Sequence, residues 1–395
     1  MKDNKFKINN EELFLIAYDV FLITGIVSIS LLASIIVGTL QKVICLFELV
    51  MLLLIEFRER KWSKKEAIFA FVCALLFLLC YNNNPVELAI MYVFMFSARN
   101  FSFKRIAKHT YKISLAMLLG IIMLAEAGII KDIVFEGYRY AAGFRYVLYG
   151  PSLLLNIVCL NVYFEGFDTK WYKLMVFFLF NLFLLTKCHG NLSFGLTTLL
   201  IVYVFCYKFS KIFNKNRHNL PGIFTYSFIF CLLMSFALIY LYDRNQELWY
   251  FIDHMLSGRL QLSLRTLSEY SISFFGNSIK WVGNGVDAYG NMYEGQYYYV
   301  DNAYVNIAIE LGLLFSVTIW GLYTIGLKKC REQDEQIVMS ILMIISVYFM
   351  FDNLKLKLVY NTFWLALPKL LFNRPLDSNK YLLPNAQEKR DESTI

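Results

Sequence analysis

Long apolar runs recur along almost the whole chain and constrain its fold more than any other feature. Each run is roughly twenty residues long, which is the length that an α-helix needs to cross the hydrocarbon core of a bilayer. The runs begin near Leu13, Lys42, Glu66, Val86, Tyr111, Tyr146, Trp171, Phe194, Pro221, Asp301, Gln336 and Lys357. The pattern predicts an all-α, polytopic integral membrane protein with about twelve transmembrane helices.

The composition agrees with a membrane protein. Hydrophobic residues make up 58% of the 395 residues, and the mean hydropathy is +0.50. The net charge of +8 does not indicate a nucleic-acid partner, because the basic residues occur in short clusters between apolar runs. The cysteines lie mostly within those runs and show no metal-ligand spacing, so we expect no disulfide, metal or cofactor.

The basic clusters predict the orientation of the chain in the cell membrane. If the N-terminus is cytoplasmic, all the strong clusters fall on the cytoplasmic side: 58–65, 99–108, 208–217 and 328–331. This arrangement obeys the positive-inside rule. We predict a membrane domain over residues 1–373 and a polar cytoplasmic tail over 374–395, with both termini in the cytoplasm.

One outward-facing loop, 243–300, is unusual for its length and its content. It is too long for a plain connector, and its two tryptophans and seven tyrosines are not typical of a disordered linker. The segment of this loop that begins at Ser257 is predicted to form an amphipathic helix at the membrane surface, with Ser257 as its N-cap. One stripe of this helix is apolar and comprises Leu260, Leu264 and Leu267. The opposite stripe comprises Arg259, Ser263, Thr266 and Tyr270.

Two arginines of this helix are candidate ligand-binding residues. Arg259 falls in the first turn, where its guanidinium and the free backbone N–H groups favour a phosphate, such as a lipid pyrophosphate. The alternative is ordinary contact with lipid headgroups. Arg265 lies four residues before Glu269, which favours a structural ion pair, but we keep it among the candidate substrate-binding residues.

The segment DNAYVNIAIELG begins the predicted membrane helix that follows the loop. Asn302, Asn306 and Glu310 form one polar stripe, which must face the protein interior or a water-filled cavity. Asp301, at the outer mouth, is either a helix cap or a general base that accepts a proton from an attacking hydroxyl. We assign Asn302, Tyr304 and Glu310 to substrate binding.

A medium-length outer loop, 131–145, supplies two more candidates. Arg139 and Arg145 are positive charges on the outer side, where the topology does not need them, and they flank small residues that permit close approach of a ligand. Snorkelling at a helix end is the alternative. Lys187 and His189 are weaker candidates on another outer connection.

Three motifs occur together in the second half of the chain: SGRLxLxxxTLxEY, FFGNSIKWVGNG and VDNAYVNIAIELGLL. In order and in topology this combination resembles the Wzy-type polysaccharide polymerases of Gram-positive capsule and exopolysaccharide clusters, within the wider family of O-antigen polymerases and ligases. The resemblance is sharp over roughly 256–312. The rest of the chain is similar only as a polytopic membrane protein with an arginine-bearing outer loop.

The resemblance implies a metal-independent membrane glycosyltransferase of GT-C-like fold. Such enzymes join a growing glycan, carried on undecaprenyl pyrophosphate, to the next lipid-linked repeat unit. Arg259 looks like the arginine that engages the donor pyrophosphate, and Arg139 and Arg145 are similar to arginines of the mid-chain loop. Asp301 stands where related ligases keep a His, so it resembles the residue that activates the acceptor. The implied partners are lipid-linked glycans, membrane lipid, a flippase and a chain-length regulator.

Two other classes of protein remain open at this point. A lipid-linked oligosaccharide flippase or other transporter would suit a protein of many helices with a basic cytoplasmic face. Transporters usually place their polar residues near the midplane and show internal repeats, whereas the candidates here gather at outer loops and one helix mouth. A structural or sensory membrane protein would have a plain surface loop, without a constellation of Arg259 and Asp301.

Overall fold

The computed structural model describes residues 9–36, 38–59, 61–83, 86–212 and 220–376, most of which are helical. The predicted tail therefore lies almost wholly outside the described residues. Its first three residues pack on the described helices, because Arg374 pairs with Glu66 at 2.8 Å and Leu376 is fully buried. The boundary of the membrane domain stays a prediction.

The described part of the chain contains fifteen α-helices, one short hairpin and six short 3-10 helices. The first eight helices are α1 (Asn10–Ser28), α2 (Thr39–Glu59), α3 (Lys64–Asn83), α4 (Val86–Ala98), α5 (Phe103–Glu126), α6 (Tyr149–Glu165), α7 (Trp171–Cys188) and α8 (Asn191–Ile212). The others are α9 (Ser227–Arg244), α10 (Gln246–Met255), α11 (Arg259–Glu269), α12 (Ala303–Glu310), α13 (Gly312–Glu332), α14 (Gln336–Phe349) and α15 (Leu367–Leu371). The hairpin pairs β1 (Val134–Phe135) with β2 (Arg139–Tyr140) in antiparallel fashion.

Four helical segments in the described residues are long and apolar enough to cross a membrane: Phe103–Glu126, Trp171–Cys188, Asn191–Phe209 and Gly222–Arg244. Shorter apolar helices are Leu88–Ala98, Gln336–Phe349 and Thr362–Leu371. The all-α class is confirmed and a membrane location is supported, but the count of twelve spans is not confirmed. Part of the reason is that hydropathy does not reveal where the backbone of an apolar run breaks.

The predicted helix that begins near Asp301 is such a broken run. Its two parts, α12 and α13, meet at Leu311, and residues 271–277 of the long loop pack against the break. Asn277 donates its backbone N–H to the carbonyl of Glu310 at 3.1 Å and its side-chain amide to the carbonyl of Ile309 at 2.7 Å. Leu313 N–H donates to the carbonyl of Ser273 at 2.9 Å. The loop therefore satisfies peptide groups that the break leaves without helical partners.

Two glycines allow the loop to approach the break so closely. Gly276 and Gly312 both adopt positive φ, +91° and +85°. A Cβ on Gly276 would lie 2.1 Å from the carbonyl oxygen of Glu310, and a Cβ on Gly312 would lie 2.2 Å from the backbone nitrogen of Gly276. Because α12 is about 12 Å long, this part of the loop lies well away from Asp301 along the helix. The predicted outer loop therefore does not lie wholly at the outer end of the bundle.

The last predicted span, from Lys357, is also irregular. Residues 354–365 form three short 3-10 turns, Leu354–Leu356, Leu358–Tyr360 and Thr362–Leu365, before α15. The segment is nevertheless deeply buried, and Trp364 Nε1 and Asn361 Nδ2 both donate to the carbonyl of Lys355, at 2.9 and 3.2 Å. Side-chain donors thus replace part of the hydrogen bonding that a continuous helix would provide.

The two ends of α1 carry different sets of contacts. At the N-terminal end, Glu11 pairs with Arg105, which belongs to a basic cluster predicted to be cytoplasmic. At the C-terminal end, the carbonyl of Ser28 accepts a hydrogen bond from Arg145 at 2.8 Å. Since α1 is about 28 Å long, the two arginines lie far apart along the bundle. The predicted topology requires these two arginines to lie at opposite ends of the bundle. Which end faces the cytoplasm stays a prediction.

The predicted amphipathic helix is present as α11, and it packs on α9. Leu260 shares a small core with Ile239 and Tyr242, and Ser263 and Thr266 are also buried. The polar stripe therefore faces the protein rather than water, and both hydroxyls donate to carbonyls one turn back. Its placement at the membrane surface stays a prediction. The preceding helix, α10, leaves several large apolar side chains exposed, as is typical of an interfacial helix: Leu248, Tyr250, Phe251 and Met255.

Candidate active site at the start of α12

Arg259 and Asp301 form an ion pair where the long loop meets α12. Arg259 Nε lies 3.2 Å from Asp301 Oδ2, and the hydroxyl of Tyr297 donates to the same oxygen at 3.2 Å. The side chains of Arg259 and Asp301 are 21% and 22% exposed, so each remains within reach of a ligand. The structure thus brings together the two residues that the sequence singled out for chemistry.

Arg259 opens α11, but the cap of this helix differs from the prediction. Gly258 occupies the N-cap position with φ +75°, and Ser257 is also left-handed, at φ 59°, with no capping hydrogen bond from its side chain. Asp253 caps instead: its Oδ1 accepts the N–H groups of Leu260 at 2.8 Å and Gln261 at 3.4 Å. The predicted Ser257 cap is therefore wrong, and those two N–H groups already have a partner. A phosphate here would be bound through the guanidinium.

Asn302, rather than Asp301, caps α12. Its side-chain oxygen accepts the N–H groups of Tyr304 at 3.0 Å and Val305 at 3.3 Å. The open question about Asp301 is therefore decided against the helix cap, because the adjacent residue performs that role. Tyr304 points into the core, where its hydroxyl donates to the carbonyl of Ser346 at 2.9 Å. We therefore interpret Asn302 and Tyr304 as residues that position the site, in contrast to the predicted contact with substrate.

A second carboxylate, Asp352, belongs to the same electrostatic cluster. It lies in the short connection that follows α14, and its side chain is almost fully buried. Burial, together with the charge of Asp301, raises the pKa of Asp352 to about 7. Burial also raises the pKa of Asp301, and the nearby guanidinium of Arg259 opposes this shift. Two carboxyl groups with raised pKa values therefore share one arginine.

Lys355 lies close to this cluster and is also buried. Its Nζ donates to the carbonyls of Ser152 at 2.8 Å and Tyr360 at 2.7 Å. Burial lowers the pKa of Lys355 to about 7, and the charge of Asp352 partly offsets this effect. Sequence reasoning missed both Asp352 and Lys355. The available signal was an acid and a base within one four-residue connection between apolar runs.

Tyr146 connects the cluster to the mid-chain loop. Burial and the charges of Asp301 and Asp352 raise its pKa, and Arg139 and Arg259 oppose the rise. Arg139 is held loosely: its Nε donates to the carbonyl of Cys188 at 3.4 Å, and its guanidinium lies 3.6 Å from Glu136. The two arginines, Arg139 and Arg259, thus influence the pKa of the same tyrosine from different elements.

Arg145 and Arg265 have other functions in the structure. Arg145 donates to the carbonyls of Ser28, Val286 and Asp287 and to the hydroxyl of Tyr293, over distances of 2.8–3.1 Å. It ties the end of α1 to the long loop, and each of its three guanidinium nitrogens donates to a group of the protein. We therefore interpret Arg145 as a structural residue, in place of its predicted role in anion binding.

Arg265 forms the predicted ion pair with Glu269, with 2.8 Å between Nε and Oε1. Its guanidinium also lies over the ring of Tyr298, 5.1 Å from the centroid, and the hydroxyl of Tyr298 donates to Glu269 at 2.6 Å. The pair is exposed at the end of α11. The structural alternative for Arg265 is confirmed, and we leave this residue out of the candidate site. Lys187 and His189 are likewise engaged, in an ion pair with Glu126 and in the left-handed C-cap of α7.

The polar stripe of α12 faces the interior, as predicted. Asn306 and Glu310 are almost fully buried and line a cavity of about 530 Å³. Tyr299 also lines this cavity, and its pKa is raised by burial and by the charges of Glu310, Asp301 and Asp352. Tyr299 therefore lies between the cavity and the carboxylates at the start of α12.

Comparisons with protein-family models, curated proteins and solved structures find no match for this chain. The class that the described residues define is a mostly helical protein whose longest apolar helices suit a membrane. Within it, an arginine and two carboxylates meet where a long loop enters a broken helix.

Proposed function

We propose that this chain is a membrane glycosyltransferase that polymerises oligosaccharide repeat units carried on undecaprenyl pyrophosphate. It would act at the outer face of the cytoplasmic membrane, in the synthesis of a capsule or exopolysaccharide, with a GT-C-like fold of about twelve spans. The observation that carries the proposal is the ion pair of Arg259 with Asp301, partly exposed and close to Asp352. The resemblance of the surrounding motifs to Wzy-type polymerases gives independent support.

The proposed reaction breaks the bond between the donor sugar's anomeric carbon and the pyrophosphate. A hydroxyl of the acceptor repeat unit attacks that carbon, a glycosidic C–O bond forms, and undecaprenyl pyrophosphate leaves. Asp301 accepts the hydroxyl proton, and Arg259, with Arg139, stabilises the charge that develops on the leaving group. The arginines supply the positive charge that a divalent cation provides in other glycosyl transfers.

The ion pair of Arg259 with Asp301 in the free protein fits these roles. A bound pyrophosphate competes with Asp301 for the guanidinium of Arg259, because both are anions that accept its hydrogen bonds. Once Arg259 contacts the donor, Asp301 is a partly buried carboxylate that has lost its cationic partner, so its pKa rises further. A raised pKa makes the carboxylate a better base near neutral pH. Donor binding would thereby activate the acceptor side of the reaction.

Elongation by the purified protein in detergent would test the proposal. Lipid-linked repeat units are supplied to the solubilised protein, and the products are separated by size. The proposal predicts longer lipid-linked glycans from the wild-type protein and unextended units from Arg259→Ala. Arg244→Ala, which removes an exposed arginine at the end of α9, serves as the control and should extend normally. A flippase would give no extension, because detergent leaves no second side to which a substrate could move.

The test in cells uses the same variants. Arg259→Ala should insert in the membrane at the wild-type level, while single lipid-linked repeat units accumulate and polymer is lost. Wild-type polymer length from this variant would contradict the site assignment. A different result is that Arg259→Ala depletes repeat units from the outer leaflet in cells while the purified variant still extends glycans in detergent. That result would support transport as the second activity.

A further inference from the structure

The cavity beside α12 is lined by amide and carboxyl groups as well as by aromatic rings. Its volume is about 530 Å³, within the range of about 300–1,000 Å³ that is common for small-molecule sites. It is lined by residues of α1, α2, α3, α4 and α12, by residues of the long loop and by residues 353–360. The Arg259–Asp301 pair does not line it, so the cavity is a separate compartment next to the candidate active site.

Two hydrogen-bond donors on the cavity wall have no partner among the described residues. They are Nδ2 of Asn306 and Nε1 of Trp281, and both atoms are buried. The side chain of Asn306 is 3% exposed. Buried donors normally have an acceptor, because leaving one without a hydrogen bond is costly. Both donors therefore indicate a ligand that offers oxygen acceptors.

Carboxylates on the same wall restrict the charge of that ligand. Glu48 and Glu310 line the cavity and are 1% and 6% exposed. Lys357 is the one basic residue among the described residues of the lining, so carboxyl groups outnumber basic groups there. An anionic ligand would meet net repulsion from this lining, whereas a hydroxyl can donate to a carboxylate. The ligand that suits all of these groups is neutral and rich in hydroxyls.

Aromatic rings complete the wall. Trp281, Tyr299 and Tyr360 line the cavity, and the ring centroids of Trp281 and Tyr299 are 5.3 Å apart. Aromatic faces with polar edges suit ligands that present both C–H and O–H groups. We propose that the cavity binds a neutral sugar residue. Asn306 and Trp281 donate to its oxygens, and Glu48 and Glu310 accept from its hydroxyls.

The position of the cavity suggests which sugar it takes. Tyr299 lines the cavity two residues before Asp301, and Asn353, which follows Asp352, donates to the hydroxyl of Tyr299 at 2.5 Å. The sugar site and the carboxylates thus share one wall. The assignment of the cavity to the acceptor glycan rests on the proposed function, whereas the chemical class of its ligand rests on the lining alone.

Binding of defined sugars to the full-length protein would test the inference. The protein is purified in a detergent without a sugar headgroup and titrated with the methyl glycosides of glucose, galactose and N-acetylglucosamine, and with glucuronate. We expect at least one neutral glycoside to bind and glucuronate to bind more weakly. Asn306→Leu should weaken the binding by about tenfold or more. Asn284→Leu, in the same loop as Trp281 but outside the lining, should bind as the wild type does.

Several outcomes would overturn the inference. They are no binding of any neutral glycoside, equal binding of glucuronate, unchanged binding by Asn306→Leu, or a tightly held lipid chain that no glycoside displaces. Trp281→Phe provides a second variant if Asn306→Leu fails to fold, as judged by gel filtration and thermal unfolding. The two proposals fail separately. Sugar binding without elongation would contradict the polymerase, and elongation without sugar binding would contradict only the cavity assignment.

Discussion

The environment of Asp301 explains why this carboxylate is suited to proton transfer. Burial raises its pKa, while Arg259 and Tyr297 stabilise its charged form. When burial raises the pKa of a carboxylate and its partners lower it, the loss of one partner shifts that pKa strongly. The neighbouring Asn302 caps α12, which leaves Asp301 free of that structural duty. These contacts show that Asp301 is not the helix cap and leave it available for the proposed proton transfer.

Replacement of Asp301 by Asn should therefore remove the base and leave the fold intact. Asn keeps the size of the side chain and can still accept from Tyr297. We expect the rate of elongation to fall by about 10²–10⁴-fold, the usual contribution of a general base. The measurement is the initial rate in detergent, with thermal unfolding as the check on folding. A rate within a few-fold of wild type would show that Asp301 is not the general base, and Asp352 would then be the next residue to test.

Asp352 should make stability depend on pH. Its pKa is raised from 3.8 to about 7 in the folded protein, so between these values the folded state binds more protons than the unfolded state. Stability from this group is therefore present at low pH and is lost as the pH rises through about 7. The melting temperature of the wild-type protein should therefore fall as the pH rises from 3.8 to about 7, and Asp352→Asn should make this fall smaller. Equal slopes for the two proteins would contradict the assignment.

The break between α12 and α13 is the element that gives the long loop its shape. The FFGNS sequence, which the family resemblance singled out, supplies Gly276 and Asn277 to the break. Phe274 and Phe275 of the same sequence are 55% and 62% exposed on the outside of the protein. The motif therefore acts as a structural clamp that joins the loop to the helix carrying Glu310.

A methyl group at this clamp should be destabilising. Gly276→Ala places a Cβ against the backbone of α12 at a positive φ, and strain of this kind costs about 1–3 kcal/mol or more. Gly283→Ala is the matched control, because no heavy atom lies within 4 Å of its added Cβ. Thermal unfolding in detergent should show a lower melting temperature for Gly276→Ala alone. Equal melting temperatures would show that the loop does not clamp the break.

Arg145 holds distant parts of the protein together. Its guanidinium joins the end of α1 to residues 286–287 and 293 of the long loop, more than a hundred residues away along the chain. The candidate site and the cavity both depend on how this loop is seated. The arginine thus contributes to function through the arrangement of the whole bundle rather than through contact with substrate.

Loss of Arg145 should lower the stability of the protein much more than loss of Arg265. Hydrogen bonds from a charged donor contribute about 1.5–3 kcal/mol, and Arg145→Ala removes several. Arg265→Ala removes an exposed ion pair, which water screens and which therefore contributes little to stability. The measurement is the melting temperature of each variant in the same detergent. The reverse order would argue that Arg145 is not a structural anchor.

The sequence by itself determined the helical class, because a helix satisfies the backbone of a long apolar run internally. It also indicated a membrane location, which the long apolar helices support. It also identified Arg259, Asp301 and the inward stripe of Asn306 and Glu310, since charged and polar residues at such positions are costly without a purpose. The ion pair of Arg265 followed from helical spacing alone.

Only the tertiary structure decided which of these residues meet. Asp352 and Lys355 join the site from a connection that carries no motif, and Arg145 leaves it because all three of its guanidinium nitrogens donate to α1 and the long loop. The capping roles of Asp253 and Asn302 depend on the loop conformation at Gly258 and on the start of α12. Hydropathy and helical period describe each segment alone, whereas hydrogen-bond partners, burial and pKa values arise from contacts between segments distant in the chain.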